Sequence, residues 1–187
     1  MSTLKTGALR GTSGTADSVQ LHASNQSVTF PGNVTVTGTL TGGAYGPAFR
    51  AYLSADQTIS NTTWTRVAFN TEDFDTDSCY NTSTYQFTPN KAGIYQMNFL
   101  ISMNLSGSSH TTTRCYFYKN GSYYSYNQSP YITDHANQYS CYGADLISLN
   151  GSSDYVEVQV WHNNGGDRAL DGAATRSCFS AIWLRPN

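Results

Sequence analysis

The chain has 187 residues, of which only 12% are charged, with ten Lys and Arg against twelve Asp and Glu. An average soluble domain carries about 25%. Neutral polar residues take their place, with 45 Ser and Thr and 23 Asn and Gln. The net charge of −2 and the 14 Tyr argue against disorder. Since no basic run occurs, nucleic acid and anionic membrane are not expected as partners.

Targeting and membrane segments are not apparent. The start of the chain, Met1 to Gly7, lacks the apolar core of a signal peptide. No stretch approaches the roughly 20 apolar residues of a membrane helix. We therefore expect a protein that is made and kept in a cytoplasm until it is assembled or released.

Four cysteines are widely spaced, at Cys79, Cys115, Cys141 and Cys178. No Cys-x-x-Cys pair indicates a zinc or redox centre, and no cofactor is expected. Free thiols are the simplest interpretation. Two disulfides remain the alternative if the protein later reaches an oxidising compartment, and three pairings fit the count.

The turn signals are those of β proteins, such as Asn120-Gly121, Asn150-Gly151 and Gly165-Gly166. No apolar stripe keeps helical spacing for three turns, whereas β-branched and aromatic residues alternate with polar ones in short runs. The pattern predicts an all-β sandwich or barrel. The predicted strands of its globular part are 48–53, 64–69, 84–88, 93–104, 112–119, 122–127, 139–149, 154–162 and 176–184.

The first 45 residues differ from the rest because they contain no Trp and no Cys. Their short alternating runs are too thin to bury a core of their own. They must therefore either stay mobile or pair with other chains, and their high β content favours an extended arm that pairs by strand addition. The hinge at 42–46 then divides the chain into an arm, 1–45, and a knob, 46–187. The apolar residues expected to anchor the arm are Val28, Phe30, Val34, Val36 and Leu40.

A family resemblance covers about residues 47–186. The knob is similar, in the order and spacing of its residues, to the globular head of the complement first-component q subunit and its tumour-necrosis-factor-like relatives. The matching residues are Phe69-Asn70, Phe74-Asp75, Tyr80, Thr84, Phe87, Pro89, Gly93, Tyr95, Phe99, Tyr118 to Gly121, Leu149-Asn150, Asp154 to Val156 and Cys178 to Ala181. The resemblance implies a jelly-roll sandwich that forms a tight homotrimer and binds ligands through its outer loops. Tyr85 departs from the family pattern, in which many members have Gly.

The arm resembles the β-rich leader of bacteriophage fibre and virion structural proteins, which often contain runs like Asn33 to Thr39. No Gly-x-y collagen stalk is present. The two resemblances together imply a non-enzymatic trimeric knob on a virion, held by a capsid or tail protein and adhering to host-surface glycan or protein. The alternative is a decorating protein that stabilises the head shell.

Candidate chemistry is sparse. The acidic cluster Glu72, Asp73, Asp75 and Asp77 is predicted to lie in a turn-rich loop, where Asp residues usually have a structural role. The functional alternatives are a calcium site and a pair of catalytic carboxylates as in glycosidases. The cluster lacks the full spacing of a calcium loop. No nucleophile elbow or phosphate loop occurs, so no enzyme is expected.

Tyrosine is the one enrichment with functional potential, since eight tyrosines lie between 116 and 142. Flat rings with polar tips suit either packing or ligand contact. The loop 125–138 is the predicted recognition loop, with Tyr126, Asn127, Gln128, Tyr131 and His135.

The trimer seam is predicted from strand alternation. In 93–104 one row is apolar and faces the core, and in 154–162 the core row consists of Val156, Val158 and Val160. A threefold seam disfavours like charges. The opposite rows are aromatic and amide-rich, and the seam candidates are Gln96, Asn98, Leu100, Tyr155, Gln159 and Trp161.

Overall fold

The computed structural model describes residues 46–105, 112–128 and 138–187. For residues 126–128 and 138 it describes the backbone only. Regular structure in these ranges is entirely β, and none of their residues form a helix that could cross a membrane. The strands are β1 Ala48–Tyr52, β2 Gln57–Ile59, β3 Thr65–Arg66, β4 Thr71–Asp75, β5 Tyr80–Asn81, β6 Gln86–Phe87, β7 Ala92–Asn104, β8 Thr113–Lys119, β9 Ser122–Gln128, β10 Gln138–Asn150, β11 Val156–His162, β12 Arg168–Leu170 and β13 Cys178–Arg185.

The strands form two antiparallel sheets. In the first, β7 pairs with β10 along its whole length and, on its other edge, with β13 and then β12. The order continues from β13 to β1 and β4, and from β12 to β2. The second sheet has the order β5-β6-β11-β8-β9, and β3 also pairs with β11. This arrangement is an all-β sandwich, as the alternating sequence pattern predicts.

The two inner faces enclose one aromatic-rich core. Phe49 of the first sheet stacks on Tyr80 and Phe87 of the second, with ring centroids 4.7 and 4.6 Å apart. Phe99 of β7 meets Phe117 of β8 edge to face at 4.8 Å. Such rings bury 150 to 250 Å² each, by rough estimate, which compensates for the shortage of aliphatic residues.

Tyr85 and Gly93 are two of the described residues with a positive φ. Tyr85 has φ 59°, and its N–H donates to the Asn81 carbonyl at 2.7 Å. The turn therefore keeps its geometry with a tyrosine in place of glycine, at about 1 to 2 kcal/mol of strain. Gly93 has φ 154°, and a Cβ there would collide with the Arg185 carbonyl and the Trp183 ring. Only glycine fits at this start of a long strand.

All four cysteines are free thiols in the structure. Three of them are buried, and Cys178 is half-buried. The side chains of Cys115 in β8 and Cys141 in β10 are hydrogen-bonded across the sandwich, and burial raises the pKa of the Cys115 thiol. These thiols act as small core residues.

The predicted strands correspond to observed ones, but four short strands were not expected: β2, β4, β5 and β12. They have two to five residues, too few for alternation to be visible. The prediction of a loop at the acidic cluster is wrong for its first part, because Thr71–Asp75 forms the edge strand β4 and pairs only with β1.

Candidate functional site

The outer face of the first sheet, which points away from the core, is unexpectedly apolar. Tyr142 and Leu146 of β10 alternate with buried Cys141 and Ile147, and Ile182 of β13 alternates with buried Ala181 and Trp183. Tyr142 is 78% exposed and Ile182 is 50% exposed. We define the apolar face as the exposed residues Phe74, Tyr142, Leu146, Ile182 and Leu184. Contiguous apolar patches on a sheet mark interaction sites.

Strand register places the residues of this face on one outward surface, together with polar neighbours. Gln96 lies between Leu146 on one neighbouring strand and Ile182 on the other. Leu100 lies in the same way between Tyr142 and Cys178. Three of the predicted seam residues, Gln96, Asn98 and Leu100, therefore share one outer surface with the apolar face.

The other three predicted seam residues lie elsewhere. Gln159 and Trp161 are on β11 in the second sheet, and Tyr155 directly precedes that strand. Because the two outer faces point in opposite directions, the six residues do not form one surface. Alternation in the sequence identifies the outward row of each strand but not the sheet to which the strand belongs.

The outer face of the second sheet carries an aromatic cluster, defined by Trp64, Tyr116, Tyr118, Tyr123 and Trp161. The Trp64 ring lies 4.8 Å from Tyr116, 5.8 Å from Tyr118 and 6.4 Å from Trp161, between ring centroids. Tyr123 lies 6.3 Å from Tyr116. The rings are tilted against one another, so each restrains its neighbour's orientation.

Arg114 lies at one end of this cluster. Its guanidinium is 5.1 Å from the centre of the Trp161 ring, directly across the strand pair. Its Nε is buried without a hydrogen-bond partner, and no carboxylate in the described residues pairs with it. The side chain therefore has donor capacity left beside the rings.

A buried carboxylate lies at the other end. Glu157 is 1% exposed, and its Oε2 is 2.6 Å from Arg66 Nη2. Gln86 donates to Oε2 at 2.9 Å and Gln159 donates to Oε1 at 2.6 Å. Both carboxylate oxygens therefore have hydrogen-bonding partners, and this explains why a buried carboxylate is tolerated at this position.

The predicted recognition loop is partly strand. Residues 126–128 belong to β9, in register with β8, so that Tyr126 pairs with Tyr116 and Gln128 pairs with Arg114. The backbone of Tyr126, Asn127 and Gln128 therefore lies next to the aromatic cluster and not in a loop. Tyr131 and His135 lie outside the described residues, as do the five anchor residues of the predicted arm, and the division at residue 46 stays a prediction.

The acidic cluster has structural partners. Asp75 accepts hydrogen bonds from the Tyr80 and Asp77 backbone N–H groups at 2.7 and 3.3 Å. Asp73 forms an ion pair with Arg50. Across the described ranges, no group of three or more His, Cys, Asp or Glu is arranged to hold a metal ion. The calcium hypothesis for residues 72–77 therefore has no support from the geometry.

One buried histidine should make stability depend on pH. His162 donates from Nε2 to the Ile59 carbonyl at 3.0 Å, and burial lowers its pKa below the ordinary histidine value of about 6.5. The unfolded chain then binds a proton first as pH falls, so unfolding is favoured progressively below about pH 6.5. We expect the free energy of unfolding to be lower at pH 5.5 than at pH 7.5, measured by urea titration.

The matched variant is His162→Gln, whose amide can still donate to the Ile59 carbonyl but cannot titrate. Its unfolding free energy should change less between the two pH values than that of the wild type. An equal change in both proteins would show that other groups cause the dependence. Asp154 is not one of them, because hydrogen bonding lowers its pKa from 3.8 and its contribution is lost only at more acidic pH.

Comparison with known proteins gives structural likeness only. No family model matches the sequence, and no curated protein matches it. The globular domain of zebrafish complement 1qA protein is similar in structure, with a TM-score of 0.55 and 16% identity over 76% of this chain and 99% of that domain.

Two further solved structures have the same fold. Eiger TNF from S. frugiperda has a TM-score of 0.52 and 16% identity over 76% of this chain and 95% of that one. Murine APRIL at pH 5.0 has a TM-score of 0.58 and 13% identity over 74% of this chain and 99% of that one. The chain thus has the jelly-roll fold of the complement and tumour-necrosis-factor-like globular domains.

Proposed function

We propose that this protein is a non-enzymatic, homotrimeric binding module of a bacteriophage virion: a short fibre or knob whose residues 1–45 anchor it to a capsid or tail protein and whose jelly roll adheres to host-surface glycan or protein. The observation that supports the proposed trimer is the apolar face of the first sheet. Its five side chains are exposed in the single chain, and burial against copies would remove that area from water at about 25 cal/mol per Å².

The surroundings of the apolar face suit a threefold seam. Asn98 and Ser180 are paired across β7 and β13, and both are uncharged. Arg50, the neighbour of Ser180 on β1, is neutralised by Asp73. Identical faces can therefore approach one another without bringing like charges together.

The proposed place in a virion rests on the arm. Its run of β-branched residues alternates Thr with Val34 and Val36 in the sequence, a pattern that suits pairing with strands of neighbouring chains. It contains only Lys5, Arg10 and Asp17 as charged residues. Low charge favours burial against other proteins over exposure to solvent.

Deletion of residues 1–45 tests the anchor. We expect the truncated chain to fold and trimerise but to be missing from purified particles, since the jelly roll encloses its own core. As a control, the arm fused to an unrelated trimeric protein should be incorporated. Particles that still contain the truncated knob would contradict the anchor role.

Copy number separates the two virion roles. A few tens of chains or fewer per particle, measured by quantitative mass spectrometry, would favour an attachment fibre. Hundreds of copies would favour the alternative, a decorating protein that stabilises the head shell.

A further inference from the structure

The aromatic cluster has no role in the core or on the apolar face. Trp64 is 36% exposed and Tyr123 is 69% exposed, on the sheet opposite to the apolar face. We propose that this cluster, with Arg114, binds an acidic saccharide. The rings pack against the C–H face of a pyranose, and the guanidinium binds the carboxylate of the same sugar. The inference extends the adhesive role proposed above, and it names the site and the ligand class.

The rings are held in place before any ligand arrives. Trp64 contacts Tyr116, Tyr118 and Trp161, while Tyr116 is itself only 6% exposed. Aromatic side chains have few rotatable bonds, and packing against a nearly buried neighbour restricts them further. A flat surface of this kind binds sugar at low cost in conformational entropy.

Charge decides between a neutral and an acidic sugar. The cations on the described strands of the second sheet are Arg66, Arg114 and Lys119. Arg66 is paired with Glu157 at 2.6 Å and Lys119 with Asp154 at 3.1 Å. Among the described residues, Arg114 is the one of these three cations without a carboxylate partner, so the described part of the face has one uncompensated positive charge at the rim of the rings.

Arg114 is also restrained beside the rings. Its guanidinium lies over the Trp161 ring, 5.1 Å from the ring centre, and this contact limits the orientations that the side chain can take. A carboxylate bound to a planar guanidinium is commonly bidentate, and this adds geometric specificity. Glu157 does not oppose the approach of an anion, because it is buried and already neutralised by Arg66.

The face is long enough for more than one sugar ring. Trp161 pairs with Arg114, Gln159 with Tyr116 and Glu157 with Tyr118, which gives three successive rows along β8 and β11. Four residues of strand span about 13 Å. An extended chain of acidic sugars, as on a bacterial surface, matches this shape better than a single monosaccharide.

The test uses the full-length protein and two pairs of probes: a uronic-acid oligosaccharide and a sialylated oligosaccharide, each beside the same compound with its carboxyl groups reduced to alcohols. Binding is measured by isothermal titration calorimetry. We expect at least one acidic probe to bind and its reduced form to bind about tenfold more weakly. Failure of both acidic probes to bind, or equal binding of both forms, would overturn the proposal.

Variants locate the site. Arg114→Gln should weaken binding of the acidic probe by about ten- to a hundredfold and leave the reduced probe unaffected. Trp64→Ala should weaken both by about three- to tenfold. Arg176→Gln is the matched control, because it removes an arginine that lies outside this sheet. Unchanged binding in Arg114→Gln would overturn the assignment.

Failure of this proposal is distinguishable from failure of the proposed function. Incorporation of Arg114→Gln into particles, and its trimeric mass, depend on the arm and the apolar face and not on the cluster. Normal assembly without saccharide binding would leave the virion role standing and would remove only the ligand site.

Discussion

Replacing Ile182 with Asp should dissociate the trimer into folded monomers. Ile182 lies near the centre of the apolar face, between Ala48 and Gln96 in the register of the first sheet. Three copies around an axis would bury three carboxylates without partners, and each such charge costs several kcal/mol. Light scattering after size exclusion at micromolar concentration should therefore show the mass of one chain with an unchanged circular dichroism spectrum.

The matched control for this variant is Ser83→Asp, which adds the same charge in the exposed turn between β5 and β6 of the second sheet. It should keep the mass of the wild type. A trimeric Ile182→Asp protein, or a monomeric Ser83→Asp protein, would show that the apolar face of the first sheet is not the seam.

Replacing Arg66 with Met should lower the free energy of unfolding by about 3 to 5 kcal/mol. The change leaves Glu157, which is 1% exposed, as a buried carboxylate without its counter-ion. Gln86 and Gln159 still donate to it, but two amide hydrogen bonds do not replace a charge. A loss of this size is a large part of the about 5 to 15 kcal/mol that stabilises a typical domain.

Two further variants distinguish the cost of the buried charge from other effects of the substitution. The stability of each variant is measured by urea unfolding. In Arg66→Met with Glu157→Leu, both charges are gone, and most of the lost stability should return. Arg176→Met breaks the ion pair with Asp171 at 3.3 Å, in which the arginine is 47% exposed. It should cost less than about 1 kcal/mol. Equal losses in Arg66→Met and Arg176→Met would refute the explanation.

Much of the fold could be predicted from the sequence because long strands carry their own pattern. In β7 the buried residues Tyr95, Met97 and Phe99 alternate strictly with polar ones, and β11 shows the same with its valines. Short strands such as β5 and β12 carry no such pattern. Their conformation follows from pairing with β6 and β2, which sequence alternation does not reveal.

The candidate site was less predictable, because it depends on which strands lie side by side. Gln96 and Gln159 both lie in outward rows, yet pairing places them on opposite faces of the sandwich. The sequence does contain one sign of the apolar face. In β10, Tyr142 and Leu146 point away from the buried residues of the strand, so both sides of that strand carry apolar side chains. That pattern indicates a second buried surface.

The aromatic cluster depends on a longer-range contact. Trp64 lies about 50 residues from Tyr116 and almost 100 from Trp161 in the sequence. Pairing of β3 with β11, through Arg66 with Gln159, brings them together. Tyrosine enrichment between 116 and 142 marks the part of the chain that supplies Tyr116, Tyr118 and Tyr123 to the cluster, but Trp64 and Arg114 have no local signature in the sequence.

The mass of the wild-type protein in solution tests the central claim most directly. Analytical ultracentrifugation at micromolar concentration should give a single species of three times the 20.4 kDa of one chain. A stable, folded monomer at that concentration would contradict the account, because the apolar face would then remain exposed to water without a partner copy.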